Sequence, residues 1–233
     1  MDFRIIHIEE TDSTNRWLKE NGEGTMVVVT DFQTAGKGCG TNSWESERGK
    51  NLTFSMLIHP ETLSAKEQYR ITEVTSVAQC ETIGLEARIK WPNDIYVGDK
   101  KICGILIENR LQGQTIKDCI IGIGLNVNQT VFVSDAPNPV SLCQLLGHEV
   151  DREQLLAKFL QQFNEVWQRE TVGADYRGRL YRREGWHAYE DAQGRFEARL
   201  KGVSEDGHLL LEDRQGQQRT YAFKEVQFIV NSL

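Results

Sequence analysis

Apolar positions along this chain follow two periods. Short runs of strand character, "FRIIHI", "MVVVT", "NLTFSMLI", "ARIKW" and "DIYV", alternate with segments of helical spacing. "DSTNRWLKEN" predicts a first helix, with Asp12 or Ser13 as its cap and Asn21-Gly22 as its stop. In "KEQYRITEVTSVAQCETIGL", Tyr69, Ile71, Val74, Val77, Ala78 and Ile83 recur at roughly helical spacing and predict a long amphipathic helix. "REQLLAKFLQQFNEVWQRE" predicts a second long helix and "ADYRGRLYRR" a third. "ICGILIEN" and "KDCIIGIGLNVN" predict a strand pair turning at Gln112-Gly113, and "VGDKK" a hairpin turn with Gly98 at positive φ. "QTVFVSDAPNPVSL", with two of the four prolines, reads as a loop.

Near residue 184 the pattern shifts to short alternating runs, "RFEARLKGV", "HLLLED", "QRTYAF" and "VQFIV". Turns are signalled at Gln193-Gly194, Asp206-Gly207 and Gln215-Gly216, so a small all-β barrel is expected. The expected division is residues 1–183 and 184–233.

Composition narrows the function. With 233 residues and 39% hydrophobic content, the chain has room for one large domain, or a medium and a small one. A net charge of −7 argues against a general nucleic-acid surface, though not against a local basic pocket. The first residues, "MDFRIIHIEE", are charged and strand-like rather than a signal peptide, and no apolar run reaches the roughly 18 residues of a membrane span. Five scattered cysteines without a C-x-x-C fit reduced thiols and a cytoplasmic setting. The five histidines form no zinc motif.

The candidate chemistry begins at "TDFQTAGKGCGTNSW", residues 30 to 44. It is not a P-loop: Asp31 stands where the first glycine should, and Gly38 where the Ser/Thr should. It is not a dinucleotide loop either, because Thr41 takes the place of the last glycine. Its glycines, Gly36, Gly38 and Gly40, allow close backbone approach to an anion, as in a nest. In "KWPND", Pro92 forces Trp91 out of helical geometry, Lys90 ends a strand, and Asn93 and Asp94 fall in a turn. Lys101 precedes an apolar run and is a natural anion partner if it faces a crevice. Gly122 and Gly124 share a strand face; they leave it open for a flat ligand, or they mark a bulge or tight packing. These residues suit a phosphate- or carboxylate-bearing ligand without naming a reaction.

Together, "DSTN", "QTAGKG…W", "KWPNDIY", "K-x-x-GILIE" and "IGIGLNVN" resemble the biotin protein ligase family, in order and spacing, over residues 5 to 145. The resemblance implies an α+β fold: a central mixed β-sheet with flanking helices, like the class II aminoacyl-tRNA synthetase core, plus a C-terminal SH3-like barrel. Many bacterial members carry an N-terminal helix-turn-helix; this sequence begins at the catalytic part, so the enzyme-only group, not a repressor, is expected. The implied reaction joins biotin to ATP as biotinyl-5′-AMP, with Mg²⁺ on the phosphates. Biotin then passes to a lysine of a biotin carboxyl carrier protein. Either a monomer or a homodimer is compatible, with no nucleic-acid or membrane partner.

The same resemblance assigns residues. Ser13, Thr14, Asn15 and Gln33 match positions around biotin. Gly36, Lys37, Gly38 and Cys39 fall in the loop that closes over biotin and the adenylate phosphate. Lys101 matches the lysine between the biotin carboxylate and the phosphate, with Lys37 and Asp94 beside it as catalytic choices. Asn93 and Asp94 match nucleotide- and metal-side positions, Asp94 being the metal candidate. Gly104 and Leu106 match the biotin pocket, Gly122 and Asn126 biotin and adenine contacts, and the loop 129 to 141 a segment ordering over the adenylate. The family loop often reads G-R-G-R-R-G; here Lys37, Cys39 and Gly40 replace the arginines and Thr41 the last glycine. A lysine lacks arginine's fork, so biotinyl-AMP is expected to leave this loop more easily unless another group compensates. The alternative is a lipoate or octanoate ligase, whose R-R-x-x-G-G-x-x-x-H-D element is missing here. A non-catalytic binding protein is a further rival, disfavoured by Lys101 and Asp94.

Overall fold

A computed structural model describes residues 1–40, 42–60, 62–133 and 138–230. Thr41, and residues 134 to 137 of the loop 129 to 141, lie outside the described residues.

Seven strands form a mixed sheet: β1 (Arg4–Thr11), β2 (Met26–Gln33), β3 (Leu52–Ile58), β4 (Arg88–Lys90), β5 (Asp94–Val97), β6 (Lys100–Gln112) and β7 (Thr115–Leu125). Their order is β1-β2-β3-β7-β6-β5-β4. Only β1 and β2 run parallel, across α1 (Thr14–Asn21); the other neighbours are antiparallel. Five strands form a second, antiparallel sheet: β8 (His187–Asp191), β9 (Gly194–Val203), β10 (Leu209–Asp213), β11 (Gln218–Tyr221) and β12 (Val226–Phe228), in the order β11-β10-β9-β8-β12.

One face of the first sheet is apolar across its central strands. Phe54, Met56, Ile105, Ile121, Ile123 and Leu125 pack into the main core. That core is covered by α2 (Tyr69–Ile83), α4 (Arg152–Trp167) and α5 (Val172–Gly178). Expected to be amphipathic, α2 instead buries ten of its fifteen residues, because the sheet edge at β4 and β5, α4 and α5 all pack against it.

The opposite face changes character along its strands. Under α1 it is apolar, with Leu18, Met26, Val28, Leu57 and Ile120 in a small second core. Beyond α1 the period-2 alternation of β3, β6 and β7 puts small or polar residues outward. Register pairs Thr53 with Gly124 and Gly124 with Gly104; it pairs Ser55 with Gly122 and Gly122 with Leu106. No apolar side chain but Leu106 stands on this patch of three strands, so a cleft opens there.

Two elements have weak sequence signals. Strand β8, "HAYED", buries only Tyr189. Helix α3 (Leu142–Leu146) is five residues long, yet its capping box of Ser141 and Gln144 stands in the sequence.

Candidate active site

The cleft has a volume of about 610 Å³ and is lined from both sheets. Its polar end is built by the N-terminus of α1. Ser13 occupies the cap position in extended geometry, but its side chain makes no capping bond. Gln33, at the end of β2, accepts from the Thr14 amide at 2.8 Å and the Thr14 hydroxyl at 3.1 Å. Ser55 Oγ donates to Asn15 Oδ1 at 2.6 Å and lies 2.7 Å from Thr14 Oγ1. Asn15 Nδ2 donates to Glu108 at 2.8 Å, which fixes the amide with its oxygen turned to Ser55 and Gly122. Burial acts to raise the Glu108 carboxyl, but bonds from Lys19 and Asn15 hold it below the ordinary range. Gly122 is a hydrogen for a plain reason: a Cβ there would collide with Asn15 Oδ1.

The glycine loop folds back as a narrow hairpin. Gly38 N donates to Asn42 O at 2.8 Å and Trp44 N to Gly36 O at 2.9 Å, with Lys37 opposite Ser43. The Gly38 amide, which a nest would aim at an anion, is therefore satisfied within the loop. What the loop brings to the cleft is the Lys37 side chain and the Trp44 indole. That indole lies over Gly104 and Gly124, so the glycine gap is filled by the chain's own aromatic ring. Trp44 Nε1 and Thr53 Oγ1, both in this wall, have no hydrogen-bond partner among the described residues.

The other end is cationic. Lys101 Nζ lies 2.8 Å from Asp94 Oδ1 and 5.9 Å from the Trp44 ring centroid. A register shift in β5–β6 sets the first pairing. Asn93 Nδ2 donates to Ile105 O at 3.0 Å, pinning the turn to β6. Lys90 pairs with Asp94 across β4–β5 and lies 5.2 Å from the Phe228 ring. Burial pushes the Lys90 ammonium below the ordinary lysine value; Asp94 opposes this, while Lys101 and Arg182 push the same way. In the cleft wall, Lys37, Lys90, Lys101 and Lys224 face a single carboxylate, Asp94. An acidic protein thus holds a positive pocket suited to an anion.

The structure brings together Ser13, Thr14, Asn15, Gln33, Lys37, Gly38, Cys39, Asn93, Asp94, Lys101, Gly104, Leu106 and Gly122. Gly36 and Asn126 are not in the wall. A Cβ at Gly36 would meet Trp44 O at 2.6 Å and Gln33 Nε2 at 2.9 Å, so it makes room for both. Buried Asn126 donates to Val140 O at 3.1 Å, and the Val140 amide donates to Lys101 O at 3.0 Å. Asn126 therefore braces the backbone that carries Lys101. Lys90, expected as a strand-end cation of "KWPND" without an assigned role, lines the cleft, as do Trp44 and Thr53 and, from the second sheet, Phe223, Lys224, Val226, Gln227 and Phe228, none of which was an expected site residue. For Trp44 and Lys90 the motif itself was the signal. For the second sheet there was none, since docking between sheets leaves no pattern in one sequence.

Among the described residues no cluster of three or more His, Cys, Asp or Glu could hold a metal ion by itself. One carboxylate beside a cationic cleft fits Mg²⁺ only in the mode where substrate phosphates supply most ligands. No helix among the described residues is long and apolar enough to cross a membrane.

A mixed sheet here opens a polar, lysine-lined cleft against a second β sheet, an arrangement suited to an anionic ligand. Residues 5–126 match the biotin/lipoate A/B protein ligase family, and the chain belongs to that family. It is 31% identical to the bifunctional ligase/repressor BirA of Bacillus subtilis, over 92% of this chain and 70% of that protein. It is 29% identical to the biotin–[acetyl-CoA-carboxylase] ligase of Paracoccus denitrificans, over 64% of this chain and 67% of that one. Among solved structures, the biotin protein ligase of Aquifex aeolicus in complex with biotin and ATP superposes with a TM-score of 0.78 at 26% identity, covering 97% of this chain and 99% of the other. The likeness spans both sheets, so the fold is the biotin ligase catalytic core followed by an SH3-like antiparallel sheet.

Proposed function

We propose that this chain is a biotin protein ligase, with residues 1–183 as the catalytic domain and 184–233 as the C-terminal domain. The observation that carries this reading is the two-ended cleft: a hydrogen-bonded polar end at Ser13, Thr14, Asn15 and Gln33, braced from behind by buried Ser55, and a cationic end at Lys37, Lys90 and Lys101. A neutral ureido ring carrying a carboxylate tail matches that polarity. The biotin and ATP held by the Aquifex aeolicus relative agree with it.

In the first step the biotin carboxylate oxygen attacks the α-phosphorus of ATP. An acyl–phosphate bond forms, the α–β bridging bond breaks, and pyrophosphate leaves. Both reactants are anions, so the site must neutralise and align them. Lys101, held against Asp94 and facing the Trp44 ring, and Lys37 supply point charges for this. Asp94 orients Lys101 and is the carboxylate that would hold Mg²⁺, whose chemistry is to neutralise phosphate charge. In the second step the amine of an acceptor lysine attacks the acyl carbon, an amide forms, and AMP leaves. The acceptor is a carboxyl carrier protein, by analogy with the carboxylase ligase of Paracoccus denitrificans.

The test is mass spectrometry of a carrier domain incubated with this protein, biotin, ATP and Mg²⁺, beside the Lys101→Ala variant. A biotin-sized gain that requires ATP, and that falls on the order of 100-fold or more with Lys101→Ala, is expected. No gain, with biotin still bound by calorimetry, would leave a binding protein. A gain with lipoate instead of biotin would move the assignment to the other branch of the family.

A further inference from the structure

The hairpin loop of residues 36–44 carries one cation into the cleft, Lys37; positions 39 and 40 hold a thiol and a hydrogen. We infer that the missing charge comes from the second sheet: Lys224, on the turn between β11 and β12, completes the glycine loop as a phosphate-holding residue. The inference rests on the acyl-adenylate reading, which supplies the phosphate.

Placement is the first observation. A Cβ built on Gly40 would fall onto Lys224 Nζ, with Lys224 Cε 3.4 Å away. The lysine therefore occupies the space that a side chain at position 40 would enter. Gly40 itself has φ of +71°, a geometry that resists a side chain. The loop's bare position and the lysine of the other sheet are complementary.

The turn that presents Lys224 is the second. Lys224 has φ of +74°, where glycine would be the comfortable residue. The turn is tied at both ends: Glu225 N donates to Ala222 O at 3.1 Å, and Ala222 N donates to Glu225 Oε2 at 2.7 Å. A strained lysine held in a closed turn beside a cleft calls for a functional account.

The third is charge. Asp94 lies against Lys101, but among the described residues no carboxylate comes within ion-pair distance of Lys224. Its ammonium is exposed and lines the same cleft as Lys37. An ammonium is a point charge with three donors and needs no planar fork, so it can approach a phosphate from the sheet opposite Lys37. Retention of the adenylate thereby depends on contact between the two sheets.

The experiment loads the full chain with biotin, ATP and Mg²⁺, removes free ligand, and follows bound biotinyl-AMP by mass spectrometry. Lys224→Gln is expected to shorten its half-life about tenfold, the usual cost of a hydrogen bond to a charged group. Lys224→Arg should stay within about twofold of the wild type. Adding Cys39→Arg to Lys224→Gln should restore retention by returning the charge from the loop side. An unchanged half-life in Lys224→Gln overturns the inference, as does a shortened one that neither arginine restores. Wild-type protein that binds biotin but never holds an adenylate defeats the acyl-adenylate reading, and the role of Lys224 with it.

Discussion

The indole of Trp44 lies directly on Gly124, so close that no side chain could stand at that position. Gly104, beside it in register, is tight against the same ring, with its Cβ site 2.9 Å from Trp44 Cζ3. The ring in turn faces the Lys101 ammonium. Gly124→Ala must push the indole off the sheet and towards Lys101. Overpacking of this kind costs about 1–3 kcal/mol. Calorimetry should show a lowered Tm and adenylation a lowered rate; an unchanged Tm would mean the indole does not pack there.

A hydrogen-bond chain runs from buried Ser55 through buried Asn15 to half-buried Glu108. Ser55→Ala removes the donor to Asn15 Oδ1 and leaves a buried acceptor short of a partner. Such a loss costs about 1–3 kcal/mol of stability, and an Asn15 amide no longer held by Ser55 should also bind biotin more weakly. Asn15→Ala should do the same. Because the two residues act through one bond, the double variant should fall well short of the product of the single effects. Simple multiplication of the two in calorimetric titrations would place the residues in independent roles.

Much of this site was legible because its residues sit inside regular strands. Gly104, Gly122 and Gly124 share a face by period 2, and Lys90, Asp94 and Lys101 meet because their strands pair. What filled the glycine face was not legible: open space and tight packing give the same pattern, and only the return of the hairpin decides for Trp44. The long helices were readable from spacing, whereas the burial of Thr75, Ser76 and Gln79 on α2 depends on α4 arriving from some seventy residues away in sequence. Lys224 and its turn carry no signal until the two sheets dock.

Lys90 links the pH dependence of stability to that of binding. Burial lowers its folded value below the ordinary lysine value of 10.5. Between the two values the unfolded chain binds more protons than the folded one, so stability rises with pH through that window. Anion binding has the opposite sign, since it needs the ammonium. Raising pH towards 10 should therefore stabilise the wild type relative to Lys90→Met while weakening its affinity for ATP. Denaturant melts and ATP titrations on both proteins check this; parallel stability profiles would show that Lys90 titrates as an exposed lysine does.

The two sheets meet at Trp91, in the turn that leads into β5. Trp91 Nε1 donates to Gly207 O at 2.9 Å, and the Trp91 ring meets Phe223 edge-on at 6.1 Å between centroids. Gly207 has φ of +90°, and a side chain there would run into the Tyr69 ring. Gly207→Val should thus pry the second sheet from the first and withdraw Phe223, Lys224 and Gln227 from the cleft wall. The polar end near Asn15 and Ser55 is built from α1 and the first sheet, without the second, and should be spared. The expected result is a KM for ATP raised at least about fivefold, as the overpacking cost implies, with biotin affinity within twofold of the wild type. Equal losses of both would show that the substitution disturbs the first sheet, and no loss of either would make the second sheet a bystander in adenylation.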